Sequence, residues 1–293
     1  MKKKQNESKE DFRGKLGFEK YYSSLFNERW PALKESFNKE SVHACWHIEG
    51  FQPYYLDPAS IFAALQLPLK TSEKILDMCA APGGKTLVLA SRMEKNATLH
   101  SNERSPARKQ RLVQVCATCV PEEIRKRIKI TCSDAAKMCT KNTECYDRIL
   151  LDAPCSSERH VFNDEKYLLQ WSPARIKTLA MEQWALLSCA YRLLSPGGYL
   201  LYSTCALNVC ENDGALEKLY KKFPDAKNAF ENSVPKIEED ISKFCKMDFI
   251  PNVEKTKYGF HILPDVQNGC GPIWFSMVQK PEKTALLGRK PSF

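Results

Sequence analysis

Short apolar runs and amphipathic segments alternate through the middle of the chain. Nearly continuous apolar runs, each typical of a strand buried on both faces, lie at 75–79, 97–103, 128–134, 147–152 and 198–204. Segments with apolar residues at helical spacing lie at 85–93, 105–120, 173–194 and 209–222. Strands that alternate with helices predict an α/β fold, with a doubly wound, mostly parallel sheet covered by helices on both faces.

The two flanks extend this pattern. Two later segments, FHILPD and IWFSMV, predict antiparallel strands that close one edge of the sheet and bring it to seven strands. Before the sheet, residues 12–38 carry aromatic side chains at helical spacing, with a break at Trp30-Pro31. We expect four segments: a disordered start (1–11), a small N-terminal helical cap (12–52), a catalytic domain (53–280) and a loose tail (281–293).

Composition narrows the class of protein. The chain has 293 residues and 43% hydrophobic content, enough for one large core, but no apolar run long enough to span a membrane. Its first residues lack a secretory apolar region and include Glu7, Glu10 and Asp11, unlike acid-poor transit peptides. The 13 cysteines are odd in number and scattered, which favours free thiols in a reducing compartment. We therefore expect a cytosolic, monomeric protein without a membrane partner.

Charge and cysteine spacing leave two questions open. The formal net charge is +9, and residues 104–129 hold eight Lys or Arg against two Glu. This excess fits a nucleic-acid contact and a solvated helix face equally well. Cys116 and Cys119 have the spacing of half a zinc site, but they lie in a predicted helix without a second pair, so we expect no metal.

The stretch ILDMCAAPGGKT at 75–86 passes from a predicted strand through small residues into a predicted helix. Small residues let a backbone approach a ligand, and a helix N-terminus presents unpaired N–H groups. The stretch is neither the GxGxxG of a dinucleotide site nor a complete phosphate loop. It predicts a loop that binds a nucleotide-type cofactor, although a plain strand-to-helix turn would have the same outline.

Polar and thiol residues recur where the predicted strands end, at the edge where ligands bind to such sheets. Glu103 follows the second strand and fits a ribose diol, in a dinucleotide or an adenosyl cofactor, unless it is a surface glutamate. Cys155 and Cys205 follow the fourth and fifth strands, so two thiols should face each other across adjacent loops. A single buried cysteine is usually inert packing, whereas a pair at strand ends indicates a thiol site.

Several motifs occur together in one order: CAAPGGK at 79–85, NERSPAR at 102–108, DAPCSS at 152–157, STC at 203–205, and then GFHILPD and GPIWF. With them, residues 54–280 resemble the NOL1/NOP2/Sun family of S-adenosylmethionine-dependent RNA cytosine-5 methyltransferases. The combination is much more specific than any single motif. The resemblance implies a Rossmann-like class I methyltransferase sheet and S-adenosylmethionine as the cofactor.

The resemblance also implies residue roles. The thiol of the TC motif, here Cys205, would add to cytosine C6 and so let C5 take the methyl group, while the PC thiol, here Cys155, would help to release the product. In DNA cytosine methyltransferases the PC cysteine is the nucleophile, so spacing alone does not rank the two thiols. Asp152 would hydrogen-bond the cytosine N3/N4 edge and lie near the cofactor. The implied cofactor-binding set is Cys79, Ala80, Ala81, Pro82, Gly83, Gly84, Lys85, Glu103, Arg108, Asp134 and Asp152.

The implied substrate is a cytosine flipped out of single-stranded or loop RNA, because a stacked base could not reach a buried thiol. After DAPCS the chain lacks the glycine-rich stretch and paired arginines of many members. It is similar there to short organellar members that methylate rRNA with a helper protein, and to compact bacterial members. We expect rRNA in preference to tRNA, and a helper RNA-binding protein as an optional partner.

Two hypotheses from other classes compete with this interpretation. A nicotinamide oxidoreductase would account for the loop and Glu103 but would leave both thiols without a role. A catalytically silent RNA-binding or assembly factor would leave the thiols and Asp152 unexplained.

Overall fold

The first helices cover one end of the fold. The computed structural model describes residues 13–230, 243–246, 250–266 and 269–283. The predicted disordered start (1–11) and all but the first three residues of the predicted loose tail (281–293) therefore lie outside the described residues. Helix α1 (Gly14–Phe26) leads through a 3-10 turn (Asn27–Arg29) into α2 (Trp30–Ser36). The predicted break thus precedes Trp30, and Pro31 lies in the first turn of α2, where its missing N–H costs no helical hydrogen bond.

The aromatic stripe of these helices is a core. Phe18, Tyr22, Trp30 and Phe37 are buried and pack with Trp171 in one cluster. The Phe18 and Trp171 rings meet edge-on, with centroids 5.5 Å apart. The N-terminal helices are therefore fixed to the segment that follows the DAPCSS motif.

Three short elements lead into the main sheet. They are β1 (Ala44–Trp46), β2 (Tyr54–Leu56) and α3 (Pro58–Leu65). Asp57 caps α3 by accepting a hydrogen bond from the Ala59 N–H at 2.7 Å, and its other carboxylate oxygen accepts from the Gly271 N–H at 2.8 Å. One aspartate thus connects the start of α3 to a turn more than 200 residues later in the chain.

All seven predicted strands form the central sheet. The parallel strands lie side by side in the order β5, β4, β3, β6, β7, with bounds β3 (Lys74–Asp77), β4 (Thr98–Asn102), β5 (Ile128–Thr131), β6 (Tyr146–Asp152) and β7 (Leu194–Thr204). The two predicted closing strands are antiparallel, as expected: β12 (Ile273–Gln279) pairs with β7, and β11 (Phe260–Ile262) pairs with β12. The α/β prediction with a mostly parallel sheet is confirmed.

Among the described residues the sheet has two more strands, nine in all. β8 (Lys227–Asn228) and β10 (Glu254–Lys255) are only two residues long and therefore show no periodicity in the sequence. A second, small sheet joins β1 to β2 and to β9 (Cys245–Lys246). The helices of the predicted N-terminal cap thus end at Ser36. The small sheet pairs β1 with β2, so it lies on both sides of the predicted boundary between the cap (12–52) and the catalytic domain (53–280).

Helices cover both faces of the central sheet. Along the strands, alternate residues point to opposite faces: Ile75 and Leu150 pack with α3 and α4, while Leu76 and Ile149 pack with α9 and α10. The remaining bounds are α4 (Gly84–Arg92), α5 (Pro106–Cys119), α6 (Glu122–Arg125), a 3-10 helix (Ala135–Thr140), α7 (Glu158–Asn163), α8 (Glu165–Leu169), α9 (Pro173–Leu193) and α10 (Asp213–Lys222). No helix in the described part of the chain is long and apolar enough to cross a membrane.

One predicted helix begins later than its pattern indicates. The pattern predicts a start at Val209, whereas α10 starts at Asp213. The intervening side chains serve the loop after β7: Asn208 and Glu211 hydrogen-bond to each other, and Asn212 accepts a hydrogen bond from the Thr204 hydroxyl. Local polar contacts therefore replace the first helical turn.

Candidate active site

The cofactor loop, defined here as residues 77–85, connects β3 to α4. Gly83 has φ +122°, and a Cβ there would lie 3.1 Å from Val115 and 3.2 Å from Leu112. A Cβ on Gly84 would lie 3.0 Å from Tyr54 and 3.1 Å from Leu56. The two glycines are needed because the loop lies directly against α5 on one side and β2 on the other.

The loop lines a small cavity of about 120 Å³, whose walls are Tyr54, Leu56, Ser60, Asp77, Cys79, Ala80, Ala81, Pro82, Gly84, Lys85 and Asp152. The predicted cofactor residues in this wall are Cys79 to Pro82, Gly84, Lys85 and Asp152. Gly83 supports the loop from behind, against α5. Burial raises the pKa of the Cys79 thiol, so this cysteine stays neutral.

Asp77 is a site residue that the predicted binding set omits. Its Oδ2 accepts a hydrogen bond from the Thr86 hydroxyl at 2.6 Å, whereas its buried Oδ1 has no partner in the described structure. Burial raises the pKa of Asp77 to about 7, and the bond from Thr86 only partly offsets this. An unpartnered carboxylate oxygen in a cavity wall fits a cationic ligand group. The sequence contains one signal that could have identified Asp77, namely a charged residue at the end of an apolar strand.

Three predicted cofactor residues lie beyond the small cavity at the same edge of the sheet. Glu103 is buried, and its Oε2 lies 3.5 Å from Arg108 Nη1. Arg108 Nη2 also donates to the Ala81 carbonyl at 2.5 Å, so it ties Glu103 to the cofactor loop. Asp134 has a side chain 41% exposed and caps the following 3-10 helix through the Ala136 N–H. Arg108 and Glu103 thus adjoin the loop, and none of the three residues lines the small cavity.

The ends of β6 and β7 bring two thiols together. Cys155 Sγ and Cys205 Sγ are 2.8 Å apart, and the Cys205 N–H donates to Cys155 Sγ at 3.3 Å. The Ser157 hydroxyl lies 3.3 Å from Cys205 Sγ, on a residue in the left-handed region at φ +54°. Hydrogen bonding with Cys205 and burial raise the pKa of Cys155 well above its usual value. We call Cys155, Ser157 and Cys205 the thiol site.

Both thiols are partly exposed, but only Cys205 belongs to the wall of the large cavity at this edge of the sheet. A large cavity of about 540 Å³ is lined by Cys205 and Ser157 but not by Cys155. The rest of its wall is Ser41, His43, Asp57, Ala59, Ser60, Lys85, Asp152, Arg159, His160, Asn163, Gly271, Pro272 and Ile273. A molecule entering this cavity therefore finds Cys205 in the wall, with Cys155 beside it.

A partly buried ion pair joins the two cavities. Lys85 Nζ lies 2.7 Å from Asp152 Oδ2, and Asp152 Oδ1 accepts from the Ser203 hydroxyl at 2.8 Å. Burial lowers the pKa of Lys85, but the charge and hydrogen bond of Asp152 outweigh it, so the pKa is raised and Lys85 stays an ammonium. Both residues line both cavities.

Part of the basic region is structural. Arg125 donates to the Ala117 carbonyl, and Arg127 donates to the carbonyls of Glu94 and Ala97. Lys126 pairs with Glu122 four residues before it. The two arginines thus contact the backbone around the turn between α5 and β5, and Lys126 forms an exposed ion pair. No cluster of three or more His, Cys, Asp or Glu within the described ranges could hold a metal ion.

Comparison with known families gives a match over most of this architecture. The model of the family described as 16S rRNA methyltransferase RsmB/F matches residues 64–263, from α3 to the end of β11. The chain belongs to this family. The match includes the cofactor loop, the Lys85–Asp152 pair and the thiol site.

Relatives in this family have more than one named RNA substrate. The chain is 32% identical over 242 residues to the 5-cytosine rRNA methyltransferase NSUN4 of Mus musculus, covering 79% of this chain and 61% of that protein. It is 36% identical over 247 residues to ribosomal RNA small subunit methyltransferase F of an Escherichia coli strain, covering 82% and 47%. It is 30% identical over 231 residues to the mitochondrial tRNA (cytosine(34)-C(5))-methyltransferase of Danio rerio, covering 78% and 61%. The chain thus spans only about half to three fifths of their lengths.

Solved structures support the fold. A methyltransferase homologue from Pyrococcus horikoshii superposes with a TM-score of 0.66 at 21% identity, covering 90% of this chain and 94% of that one. NSun6 from the same organism, solved with SFG, gives 0.58 at 22% identity, covering 79% and 54%. The Rossmann-like methyltransferase fold expected from the sequence is confirmed.

Proposed function

We propose that this protein transfers a methyl group from S-adenosylmethionine to C5 of a cytosine in RNA, with Cys205 as the nucleophile. Family membership supports the reaction class. The observation that carries the assignment of the thiol is that Cys205 lines the large cavity while Cys155 does not. The large cavity would hold the base, and the small cavity would hold part of the cofactor.

The small cavity fits a cationic cofactor. Asp77 Oδ1 is buried without a partner in the described structure, and S-adenosylmethionine carries positive charge. When bound, the cofactor supplies an electrophilic methyl group. Glu103 would hold the ribose, supported by Arg108, and Asp134 would contact the adenine. Lys85 and Asp152, which line both cavities, would lie between the methyl donor and the cytosine base. They would also orient the base.

The thiol site provides the covalent step. Cys205 Sγ would bond to cytosine C6 while its thiol proton passes through the Asp152 carboxylate to N3, which makes C5 nucleophilic enough to accept the methyl group. The C5 proton must then leave and the C6–S bond must break. Cys155, with its raised pKa, remains a neutral thiol 2.8 Å from Cys205 Sγ. It can therefore protonate the departing Cys205 thiolate and, as a thiolate itself, accept the C5 proton. Both thiols are then restored, and the proton on N3 is released to solvent.

The RNA and the cellular setting are proposed more broadly. The relatives are named for rRNA and tRNA, and we favour rRNA on the short segment that follows DAPCSS. A flipped cytosine, an optional helper RNA-binding protein and a monomeric chain complete the proposal. Cytosolic location stays a prediction from the sequence, while one relative is named as mitochondrial.

Labelled-methyl transfer tests the proposal. Purified protein, S-adenosylmethionine carrying a labelled methyl group, and rRNA or tRNA from cells lacking the gene should yield labelled 5-methylcytosine, measured by nucleoside mass spectrometry. Cys205→Ser should lower the yield by about 10³-fold or more, because the covalent step is lost. Cys210→Ser, at an exposed cysteine five residues later, is the matched control and should behave as wild type. Equal yields from Cys205→Ser and wild type would contradict the assignment.

A further inference from the structure

Two buried carboxylates next to the thiol site have no role in the chemistry described above. Glu158 begins α7 directly after Ser157, and Glu211 lies in the loop after β7. Their exposed fractions are 1% and 0%. Charged side chains are rarely buried so completely, because losing hydration is costly unless hydrogen bonds replace it. The pair therefore needs an explanation.

Glu211 binds the loop that carries Cys155. Its Oε2 accepts from the backbone N–H of Ser156, the residue after Cys155, at 3.0 Å. The same oxygen accepts from Gln183 Nε2 at 2.7 Å, and Gln183 also donates to the carbonyl of Pro154, the residue before Cys155, at 2.9 Å. Both neighbours of Cys155 are thus fixed by one carboxylate and one amide.

Glu158 binds the loop that carries Cys205. Its Oε2 accepts from the backbone N–H of Leu207, two residues after Cys205, at 3.0 Å. Its Oε1 accepts from the hydroxyls of Ser156 and Tyr22, each at 2.5 Å. Tyr22 lies on α1, so the N-terminal helix reaches the thiol loops through this contact.

One amide connects the two carboxylates. Asn208 Nδ2 donates to Glu211 Oε1 at 2.5 Å and lies 3.3 Å from Glu158 Oε1. Every carboxylate oxygen of the pair therefore accepts at least one hydrogen bond. Ser157 lies between Ser156 and Glu158, and its backbone is in the left-handed region. A residue other than glycine keeps this conformation only when its surroundings enforce it.

We propose that Glu158 and Glu211, supported by Tyr22, are positioning residues that fix the separation and orientation of Cys155 and Cys205. The proposal rests on the proposed function, because it assigns the two thiols successive roles on one base. Displacing a reacting group by about 1 Å can lower a rate by roughly 10²-fold, so a rigid connection between the two thiol loops is chemically useful. It also gives the N-terminal helices a role in the active site.

Glu158→Gln and Glu211→Gln test the proposal with little change of shape. In Glu158→Gln the new NH₂ group must face either the Leu207 N–H or Asn208 Nδ2. Both are donors, so one hydrogen bond to the carboxylate is replaced by a contact between two donors. In Glu211→Gln it must face the Ser156 N–H and Gln183 Nε2, or else Asn208 Nδ2. Tyr22→Phe removes one donor and leaves the others, so it should act more weakly. Glu182→Gln, exposed on α9, is the matched control.

The primary measurement does not depend on RNA. Iodoacetamide alkylation of Cys205, measured by mass spectrometry relative to exposed Cys132 in the same molecule, should change at least threefold in both Gln variants. It should stay at the wild-type value in Glu182→Gln. An unchanged ratio in both Gln variants would overturn the proposal, whether or not the protein methylates RNA.

Kinetics give the second measurement. Rates are divided by the concentration of S-adenosylmethionine-binding sites, which calorimetry measures. A variant that is partly unfolded therefore does not show a falsely low kcat. Both Gln variants should lower kcat by about 10- to 100-fold with KM for RNA within about threefold, and Tyr22→Phe should lower it less. Wild-type kcat in both Gln variants would count against the proposal, whereas an inactive wild type would count against the proposed function alone.

Discussion

The cofactor loop and the thiol site lie at the same edge of one sheet but are built differently. The cofactor loop is nine consecutive residues, 77–85, whose shape follows from two glycines and the neighbouring β2 and α5. The thiol site joins the ends of β6 and β7, 50 residues apart, and its loops are connected by side chains from α1, α7 and α9. A binding loop can therefore be local, whereas a site with two coupled thiols requires tertiary contacts.

The two regions also differ in how their polar groups are satisfied. In the cofactor loop, Asp77 Oδ1 is left without a partner in the described structure. Beside the thiol site, every oxygen of Glu158 and Glu211 is hydrogen-bonded by protein groups. The contrast holds for the carboxylates, because Gln183 Oε1 beside the thiol site is, like Asp77 Oδ1, without a partner in the described structure. The two glutamates are held in place by protein groups, whereas Asp77 keeps one oxygen free of them.

Cys155→Ala should have the largest effect, and it should impair the thiol site without affecting the cofactor loop. Multiple turnover should fall by about 10²-fold or more, because the C6–S bond no longer breaks efficiently, while cofactor binding stays at the wild-type level. A covalent protein–RNA complex should accumulate and run as a shifted band on a denaturing gel. The Cys155→Ala Cys205→Ala double variant is the control and should give no band. A single variant without a shifted band would refute the release role of Cys155.

Lys85→Met should show how far the two regions depend on one another. The variant leaves Asp152 with only the Ser203 hydroxyl, and the free energy of unfolding should fall by about 3 kcal/mol. This is the lower end of the range for a broken buried pair, because the Asp152 side chain is 33% exposed. Denaturant titration would measure the change.

The Lys85→Met Asp152→Asn double variant provides the matched control for that experiment. It should regain most of the lost stability, because neither charge then lacks its partner. If Lys85→Met alone were as stable as wild type, the ion pair would not hold the two regions together.

Asp77→Asn should have the smallest of the three effects, and one that depends on pH. The pKa of Asp77 is raised to about 7 by burial, so the folded protein keeps a proton that the unfolded chain loses above about pH 4. Rising pH therefore destabilises wild type through this group until about pH 7. Between pH 5 and pH 8 the variant should gain about 2 kcal/mol relative to wild type in denaturant titrations. A constant difference across this range would show that Asp77 is already ionised when folded.

Much of the fold was predictable because its signals are local. The strands β3, β4, β6 and β7 have apolar runs, and their ends carry the residues that form the site. The cofactor loop was identified from consecutive letters. The strands β8 and β10 and the small sheet of β1, β2 and β9 were missed, since two or three residues cannot show a period and their partners are distant in sequence.

The sequence by itself determined that Cys155 and Cys205 end neighbouring parallel strands, because strand ends on one edge follow from the alternation of strands and helices. It did not determine which thiol faces the large cavity, that Lys85 pairs with Asp152, or that Asp77 keeps an unpartnered oxygen. Glu158, Glu211 and Tyr22 were equally undetermined, because nothing in their spacing relates a residue on α1 to loops more than 100 residues later. The period of the hydrophobic pattern indicates which face of a helix or strand a residue occupies. Only the packed tertiary structure decides which distant group that residue contacts.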